Sequence, residues 1–146
     1  MRILLILAVV STGLAACAKS GPPTVQALDP WCRPAPAGAL SAACYLTLTS
    51  NGDDRLVSVA SPAAEMVEVH TMDMTGGIMR MGPLKDGLKL PRNKAVALTP
   101  GTEHVMLIGP KAEVAVGTSV SLTLTFDKAA PLTVTAPVRP AVLPGG

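Results

Sequence analysis

Aromatic side chains are scarce in this chain, with only Trp31, Tyr45 and Phe126 among 146 residues. Charged residues make up 15% of the chain, and lysine and arginine form no run. The twelve basic residues fall to eleven, against ten acidic ones, if Arg2 is removed with an N-terminal signal. Proteins that bind nucleic acid carry a clustered basic surface. The composition therefore gives no support for nucleic-acid binding.

Histidine is equally scarce, because His70 and His104 are the only two. Neither has a serine or a cysteine beside it in the sequence, so no nucleophile–base pair is suggested. Asp73 and Glu103 lie near the histidines, but salt pairing or solvation explains them more simply. We therefore expect a protein that is not an enzyme.

Residues 1–16 have the features of an export signal. Arg2 is followed by the apolar run Ile3–Val10 and by the cleavage-site sequence Leu14-Ala15-Ala16, and the run is shorter than a membrane span of ~20 residues. Leu14-Ala15-Ala16-Cys17 resembles a bacterial lipobox, in which the cysteine carries lipid. Ala18 follows instead of Asp, which favours the outer membrane over the inner one. The alternative is a plain signal peptide followed by an unmodified cysteine.

Three cysteines in an exported chain leave one without a partner. If Cys17 carries lipid, Cys32 and Cys44 remain, and an oxidising compartment favours a disulfide between them. Such a bond would stabilise the fold by about 2–3 kcal/mol. Two buried thiols are the alternative, because cysteine packs well as a small apolar residue.

Apolar residues beyond position 25 recur with period two, which predicts β-strands. The alternation is clearest at 45–49, 120–126 and 132–138, and turn signals recur every 8–12 residues. This pattern predicts an all-β sandwich or barrel. We divide the chain into a signal peptide (1–16), a lipidated tether (17–24), a β-domain (25–138) and a flexible tail (139–146).

Five of the six methionines other than Met1 lie within sixteen residues, around His70. The sixth belongs to His104-Val105-Met106, so both histidines lie near methionine. Thioether sulfur is a soft ligand and imidazole a borderline one, a combination that suits Cu(I). Methionine is also a flexible core filler, so simple packing is the competing interpretation. The clustered methionines are Met66, Met72, Met74, Met79 and Met81.

Residues 70–81 are consistent with a β-hairpin. Gly76-Gly77 would supply the positive φ angles of a two-residue turn. In that register Asp73 faces Arg80 as an opposite-charge pair, and Met74 faces Met79. Side chains of one parity share a face, which would put His70 and the methionines at 72, 74, 79 and 81 on one side. His104 and Met106 share a face of another strand for the same reason.

The spacing resembles the PCu(A)C family of periplasmic copper chaperones, whose motif is His, ten residues, Met, about twenty-one residues, and His-x-Met. Ten residues separate His70 from Met81 here, and twenty-two separate Met81 from His104. The extra residue falls between the ligand pairs. The resemblance covers residues 25–139 and includes Trp31-Cys-Arg-Pro, Gly76-Gly-Ile-Met-Arg-Met and Val120-Ser-Leu-Thr-Leu-Thr-Phe.

The resemblance implies a cupredoxin-like Greek-key sandwich that binds one Cu(I) through His70, Met81, His104 and Met106. Cu(II) is a second cargo to consider, and Met72, Met74 and Met79 would be auxiliary. We also expect a monomer, and the export signal and lipobox predict that lipid anchors it in the periplasm. Copper would pass to an acceptor such as the CuA centre of cytochrome c oxidase or a Sco-type protein.

Three other functions compete with this one. A blue-copper electron carrier needs a cysteine ligand, and Cys32 and Cys44 lie far from both histidines in the sequence. A copper-buffering or tolerance lipoprotein would use the same ligands. A structural or apolar-ligand-binding outer-membrane lipoprotein would bind no metal and would use the methionines as a dry patch.

Overall fold

The computed structural model describes residues 21–140, so the predicted signal peptide, Cys17 and most of the predicted tail lie outside the described residues. Ten strands and one short 3-10 helix, Thr75–Gly77, form this region. The strands are β1 (Val25–Cys32), β2 (Ser41–Ser50), β3 (Asp54–Ala60), β4 (Ala64–Asp73), β5 (Arg80–Pro83), β6 (Leu88–Leu90), β7 (Ala95–Leu98), β8 (His104–Pro110), β9 (Ser119–Phe126) and β10 (Leu132–Pro137).

The strands form two antiparallel sheets, which confirms the predicted all-β sandwich. One sheet has the order β1-β2-β8-β4-β5, with β7 also pairing with β2. The other has the order β10-β9-β3-β6. In β9 the apolar residues at 120, 122, 124 and 126 are buried, whereas the serine and threonines between them are not. Since successive side chains of a strand point to opposite faces, this alternation lines one face of the sheet with core residues.

The larger sheet also turns one face towards the core. Leu46 and Leu48 of β2 and Val105 and Leu107 of β8 are buried in one apolar cluster with residues of the second sheet. A disulfide joins Cys32 to Cys44, which are Cα partners in the β1–β2 ladder and are fully buried. The even-numbered residues of β8 point the other way. That outer face carries the candidate site.

Arg139 lies at the start of the predicted tail, and its contacts connect it to β1. Its backbone N–H donates to the Cys32 carbonyl at 3.1 Å, and its guanidinium pairs with Asp29 at 2.7 Å. The guanidinium also lies over the Trp31 ring, 5.1 Å from the centroid. In the structure, therefore, the ordered contacts of the domain extend to Arg139.

Candidate metal centre

The pairing of β4 with β8 brings the two histidines together. His70 and His104 are Cα partners in this ladder, and Glu68 is the partner of Met106. Residues of equal parity share a face, so all four side chains lie on the outer face of the larger sheet. The His70 and His104 ring centroids are 5.9 Å apart. The sequence predicted each face, and the structure shows that the two strands meet.

The β4–β5 ladder adds sulfur atoms to this face. Met72 is the Cα partner of Met81, and Asp73 is the partner of Arg80, as the hairpin register predicted. Met72 and Met81 therefore lie beside His70 on the outer face, the side predicted for them. The ladder stops at Asp73 and Arg80.

The predicted two-residue turn is wrong, because residues 74–79 form a longer loop that contains the 3-10 helix. The Asp73 carboxylate accepts hydrogen bonds from the Thr75 hydroxyl and, at 2.8 Å, from the Thr75 N–H. These bonds lower the pKa of Asp73 and start the loop, which the Gly77 N–H continues by donating to the Met74 carbonyl. Gly76 and Gly77 do adopt positive φ angles, both 75°.

The longer turn separates the methionines into two groups. Met74 and Met79 lie in the loop with 58% and 60% of their surface exposed, and they do not face each other in the ladder. The expectation that all the methionines at 72, 74, 79 and 81 continue one ladder face is therefore wrong for this pair. Met72 and Met81 remain beside the histidines.

A cavity of about 370 Å³ opens over the outer face. Met72, Met81, His104 and Met106 all line it. His104 is only 3% exposed, so the cavity reaches a buried imidazole. Arg33 is the one permanently charged side chain in its wall, which also includes Pro34, Ala35, Ser41, Ala42, Ala43, Tyr45, Pro100 and Gly101.

His104 has one nitrogen engaged and one available. Its Nδ1 lies 3.0 Å from the Thr102 carbonyl oxygen. A carbonyl can only accept a hydrogen bond, so in the neutral ring Nδ1 carries the proton and Nε2 keeps its lone pair. A metal-ligating histidine commonly donates its other N–H in this way.

His70 is engaged through the opposite nitrogen. Its Nε2 lies 2.8 Å from Oε2 of Glu68, and its buried Nδ1 has no hydrogen-bond partner. An unpaired buried nitrogen is costly, and this atom is free to bind a ligand. His70 is not part of the cavity wall, and it adjoins the cavity through the ring of His104.

A row of rings continues from the histidines across the sheet. The Tyr45 ring centroid is 6.4 Å from that of His104 and 4.6 Å from that of Trp31. Burial raises the pKa of Tyr45 above its usual value, although Arg33 opposes the shift. Tyr45 therefore forms a neutral wall of the cavity at physiological pH.

The available atoms fit a soft metal ion. Within residues 21–140 no group of three or more His, Cys, Asp or Glu side chains is placed to hold a metal ion, and the donors next to the two histidines are thioethers. Metal–imidazole distances are about 2.0–2.1 Å and a ring nitrogen lies about 1.2 Å from its centroid, so two rings on one ion are at most about 6.5 Å apart. The 5.9 Å between His70 and His104 satisfies this limit. Two imidazoles with neighbouring thioethers are a donor set for Cu(I).

Comparison with protein families gives a match over residues 25–138 to the family described as "Putative lipoprotein LpqE-like". This chain belongs to the LpqE-like family. A lipoprotein-named relative from Leifsonia xyli subsp. xyli is 30% identical over 115 residues, covering 79% of this chain and 69% of the relative. An uncharacterized protein of Rickettsia prowazekii is 31% identical over 108 residues, and the match covers 70% of this chain but 60% of that protein.

Solved structures similar to this LpqE-like protein are PCuAC domains, which confirms the resemblance and the cupredoxin-like fold class. The apo PCuAC domain from PmoF1 has a TM-score of 0.67 at 23% identity, covering 84% of this chain and 98% of that domain. The copper-bound PCuAC domain from PmoF2 has a TM-score of 0.66 at 26% identity, covering 84% and 97%. Cu(I)-bound DR1885 from Deinococcus radiodurans has a TM-score of 0.59 at 26% identity, covering 88% and 83%.

The family name and the helix content of the described residues both bear on membrane association. The family name is that of a lipoprotein. Between residues 21 and 140, no helix is long and apolar enough to span a bilayer.

Three residues around the site were not singled out from the sequence. Glu68 could have been found, because it precedes His70 by two positions and therefore shares its face. Tyr45 and Arg33 gave no such signal. Tyr45 lies on β2, and the Arg33 N–H donates to the Ala43 carbonyl of β2. Both join the cavity wall because β2 pairs with β8, a contact between distant parts of the chain.

Proposed function

We propose that this LpqE-like protein is a copper carrier that binds one Cu(I) through His70, Met81, His104 and Met106. The observation that carries the proposal is the cross-strand histidine pair, in which a protein oxygen contacts one nitrogen of each ring and leaves the other nitrogen available. The copper-bound PmoF2 domain and Cu(I)-bound DR1885, each 26% identical to the chain, support copper as the cargo.

Met72 lines the same cavity as three of these four residues and is a further sulfur donor for the cargo. Met74 and Met79 are exposed on the neighbouring loop. We assign them to copper uptake or transfer and not to the site itself. This division follows from their positions outside the β4–β5 ladder.

The ligand set suits delivery more than permanent storage. Neutral thioethers and imidazoles hold Cu(I) without a thiolate bond, so an acceptor rich in cysteine thiolates can take the ion by its greater softness. The one disulfide among the described residues, Cys32–Cys44, lies in the core and supplies no thiolate. We propose a CuA centre of cytochrome c oxidase or a Sco-type protein as the acceptor, with buffering or copper tolerance as the alternative use.

We propose a carrier role and not an enzymatic one, because the histidines and thioethers of the site are assigned to holding the ion. We place the protein in the periplasm, anchored through Cys17, with the outer membrane as the preferred site. This placement rests on the signal sequence and on the lipoprotein family name.

The test is an anaerobic titration of the purified protein with Cu(I) against a chromophoric Cu(I) chelator. A His70→Ala/His104→Ala variant is titrated beside it, and far-UV circular dichroism checks that the variant keeps its sheet content. We expect one tightly bound Cu(I) per chain, lost in the variant. Equal competition by both proteins, or none by either, would contradict the proposal, and no competition by either would favour an apolar-ligand lipoprotein.

A further inference from the structure

The two histidines differ in the nitrogen that the fold occupies. Thr102 accepts a hydrogen bond from His104 at Nδ1, whereas Glu68 contacts His70 at Nε2. The remaining atoms are Nε2 of His104 and Nδ1 of His70, and the latter is buried without a partner. The pair is therefore chemically asymmetric, although the two residues face each other in the ladder.

The Glu68 contact decides the tautomer of His70. An ionised carboxylate accepts hydrogen bonds and cannot donate one, so the nitrogen facing it must carry the hydrogen. Rotating the ring by half a turn would bring a carbon atom to Glu68 and lose the bond. Glu68 is held beside His70 by the strand itself, because residues two apart on β4 share a face.

The surroundings of the Glu68–His70 hydrogen bond strengthen it. The Glu68 and His70 side chains are 31% and 13% exposed, so water competes only partly for the bond. Hydrogen bonds that involve an ionised partner are about twice as strong as neutral ones. On the neighbouring strand, Met106 is the partner of Glu68 and offers it no hydrogen to bind.

We infer that Glu68 is the positioning residue that makes His70 a donor through Nδ1, so that one copper ion is held by Nδ1 of His70 and Nε2 of His104. The inference rests on the proposed function and goes beyond it, since it assigns the donor atom of each ring and a role to a carboxylate outside the ligand set. Nδ1 is one bond closer to the backbone than Nε2. An ion held at Nδ1 would therefore lie nearer the backbone of β4 than one held at Nε2.

The copper-free protein tests the Glu68 contact alone. Long-range ¹H–¹⁵N spectra of the histidine side chains report which nitrogen carries the hydrogen. We expect the Nε2–H form for His70 and the Nδ1–H form for His104. Glu68→Ala should give His70 a mixture of tautomers and leave His104 unchanged. Glu65→Ala, which removes an exposed carboxylate from the same strand, should change neither.

Cu(I) loading then tests the donor atoms, because Cu(I) is diamagnetic and leaves the spectra readable. We expect the Nδ1 signal of His70 and the Nε2 signal of His104 to shift, while both N–H hydrogens remain. Loss of an outer carboxylate partner typically weakens metal binding about 10–100-fold, which is the loss expected for Glu68→Ala. Glu68→Gln keeps an oxygen that accepts the Nε2–H bond and should recover part of the affinity.

Each outcome has one interpretation. A shift of Nε2 of His70 on loading, or a Glu68→Ala variant with unchanged tautomer and affinity, would overturn the inference and leave the carrier function standing. A wild-type protein that binds no Cu(I) would overturn both. A folded Glu68→Ala variant with the expected mixture of tautomers and weaker binding would support the inference.

Discussion

His70 and His104 face each other directly across the β4–β8 ladder, with ring centroids 5.9 Å apart. Their spacing is set by backbone hydrogen bonds on both strands, and each ring is held by its own partner, Glu68 or Thr102. Little ordering is then left to occur when an ion binds, which favours affinity. The thioether ligands are different, because Met81 is half-exposed and free to adapt. The histidine ligands of the site are therefore held rigidly, whereas the methionine ligands can adapt.

Replacing a site methionine by leucine removes the sulfur and keeps much of the volume. We expect Met81→Leu and Met106→Leu each to weaken Cu(I) binding by about tenfold, which is about 1.4 kcal/mol. Met74→Leu and Met79→Leu are matched controls on the exposed loop and should change the affinity much less. Competition against a Cu(I) chelator measures all four. Equal losses at the four positions would contradict the assignment of two separate methionine groups.

Asp54 should stabilise the fold through its carboxylate. It is 8% exposed and accepts hydrogen bonds from the N–H groups of Arg55, Lys128 and Ala129 at 2.7, 3.0 and 2.9 Å. Asp54→Ala leaves these donors without their partner, and we expect a loss of about 1–3 kcal/mol in the free energy of unfolding. Urea unfolding near neutral pH measures it. Asp53 is the exposed neighbour of Asp54, and Asp53→Ala should lower the free energy of unfolding by less.

The contribution of Asp54 should depend on pH. Burial alone raises the pKa of this carboxyl, but the three N–H bonds and the Lys128 charge outweigh it, so the pKa in the folded protein is lowered. A lowered pKa gives stability that is fully present above the unfolded-state value, about 3.9, and is lost as pH falls through the folded value. The difference between wild type and Asp54→Ala should be constant near neutral pH and shrink below about pH 4. A difference that grows on acidification would contradict this sign.

The disulfide should stabilise the domain without being needed for copper. Cys32 and Cys44 are twelve residues apart in sequence, and closing a loop of this length stabilises by about 3 kcal/mol in the chain-entropy description. We expect Cys32→Ala/Cys44→Ala to lower the free energy of unfolding by about 2–4 kcal/mol, measured in urea. The folded variant should still bind one Cu(I). Loss of binding in a folded variant would show that the bond also shapes the site next to Tyr45.

The core face of β8 should respond differently from its outer face. Leu107 is fully buried, and Leu107→Ala should lower the free energy of unfolding by about 2–5 kcal/mol. Met106→Leu, its neighbour, should leave stability nearly unchanged and weaken copper binding. Thermal unfolding and Cu(I) competition on both variants separate the two effects. An unchanged free energy of unfolding in Leu107→Ala would contradict the assignment of Leu107 to the core.

The sequence predicts local features of this fold well and distant ones poorly. Period-two alternation locates β9 and β10, and the hairpin register correctly pairs Met72 with Met81. The three residues of β6 are too few to show alternation, so this strand gives no clear signal. The turn was mispredicted because the Asp73 side chain bonds to Thr75 and lengthens the loop.

The candidate site shows the same division. The local pairs His104–Met106 and His70–Met72 follow from strand parity alone, whereas the meeting of β4 and β8 joins segments far apart in the sequence. A period-two pattern has no information on which strands become neighbours. Spacing and parity therefore predict the donors, and only the sheet order brings them together.

The alternation along β8 also separates mutations that affect the stability of the fold from mutations that affect the bound ion. Val105 and Leu107 lie in the core, while His104 and Met106, which alternate with them along the strand, face the cavity. Substitutions on the cavity side can alter which ion is bound, while the buried residues that stabilise the fold stay unchanged. Relatives of this chain could thus bind a different ion, or none, and still keep the same fold.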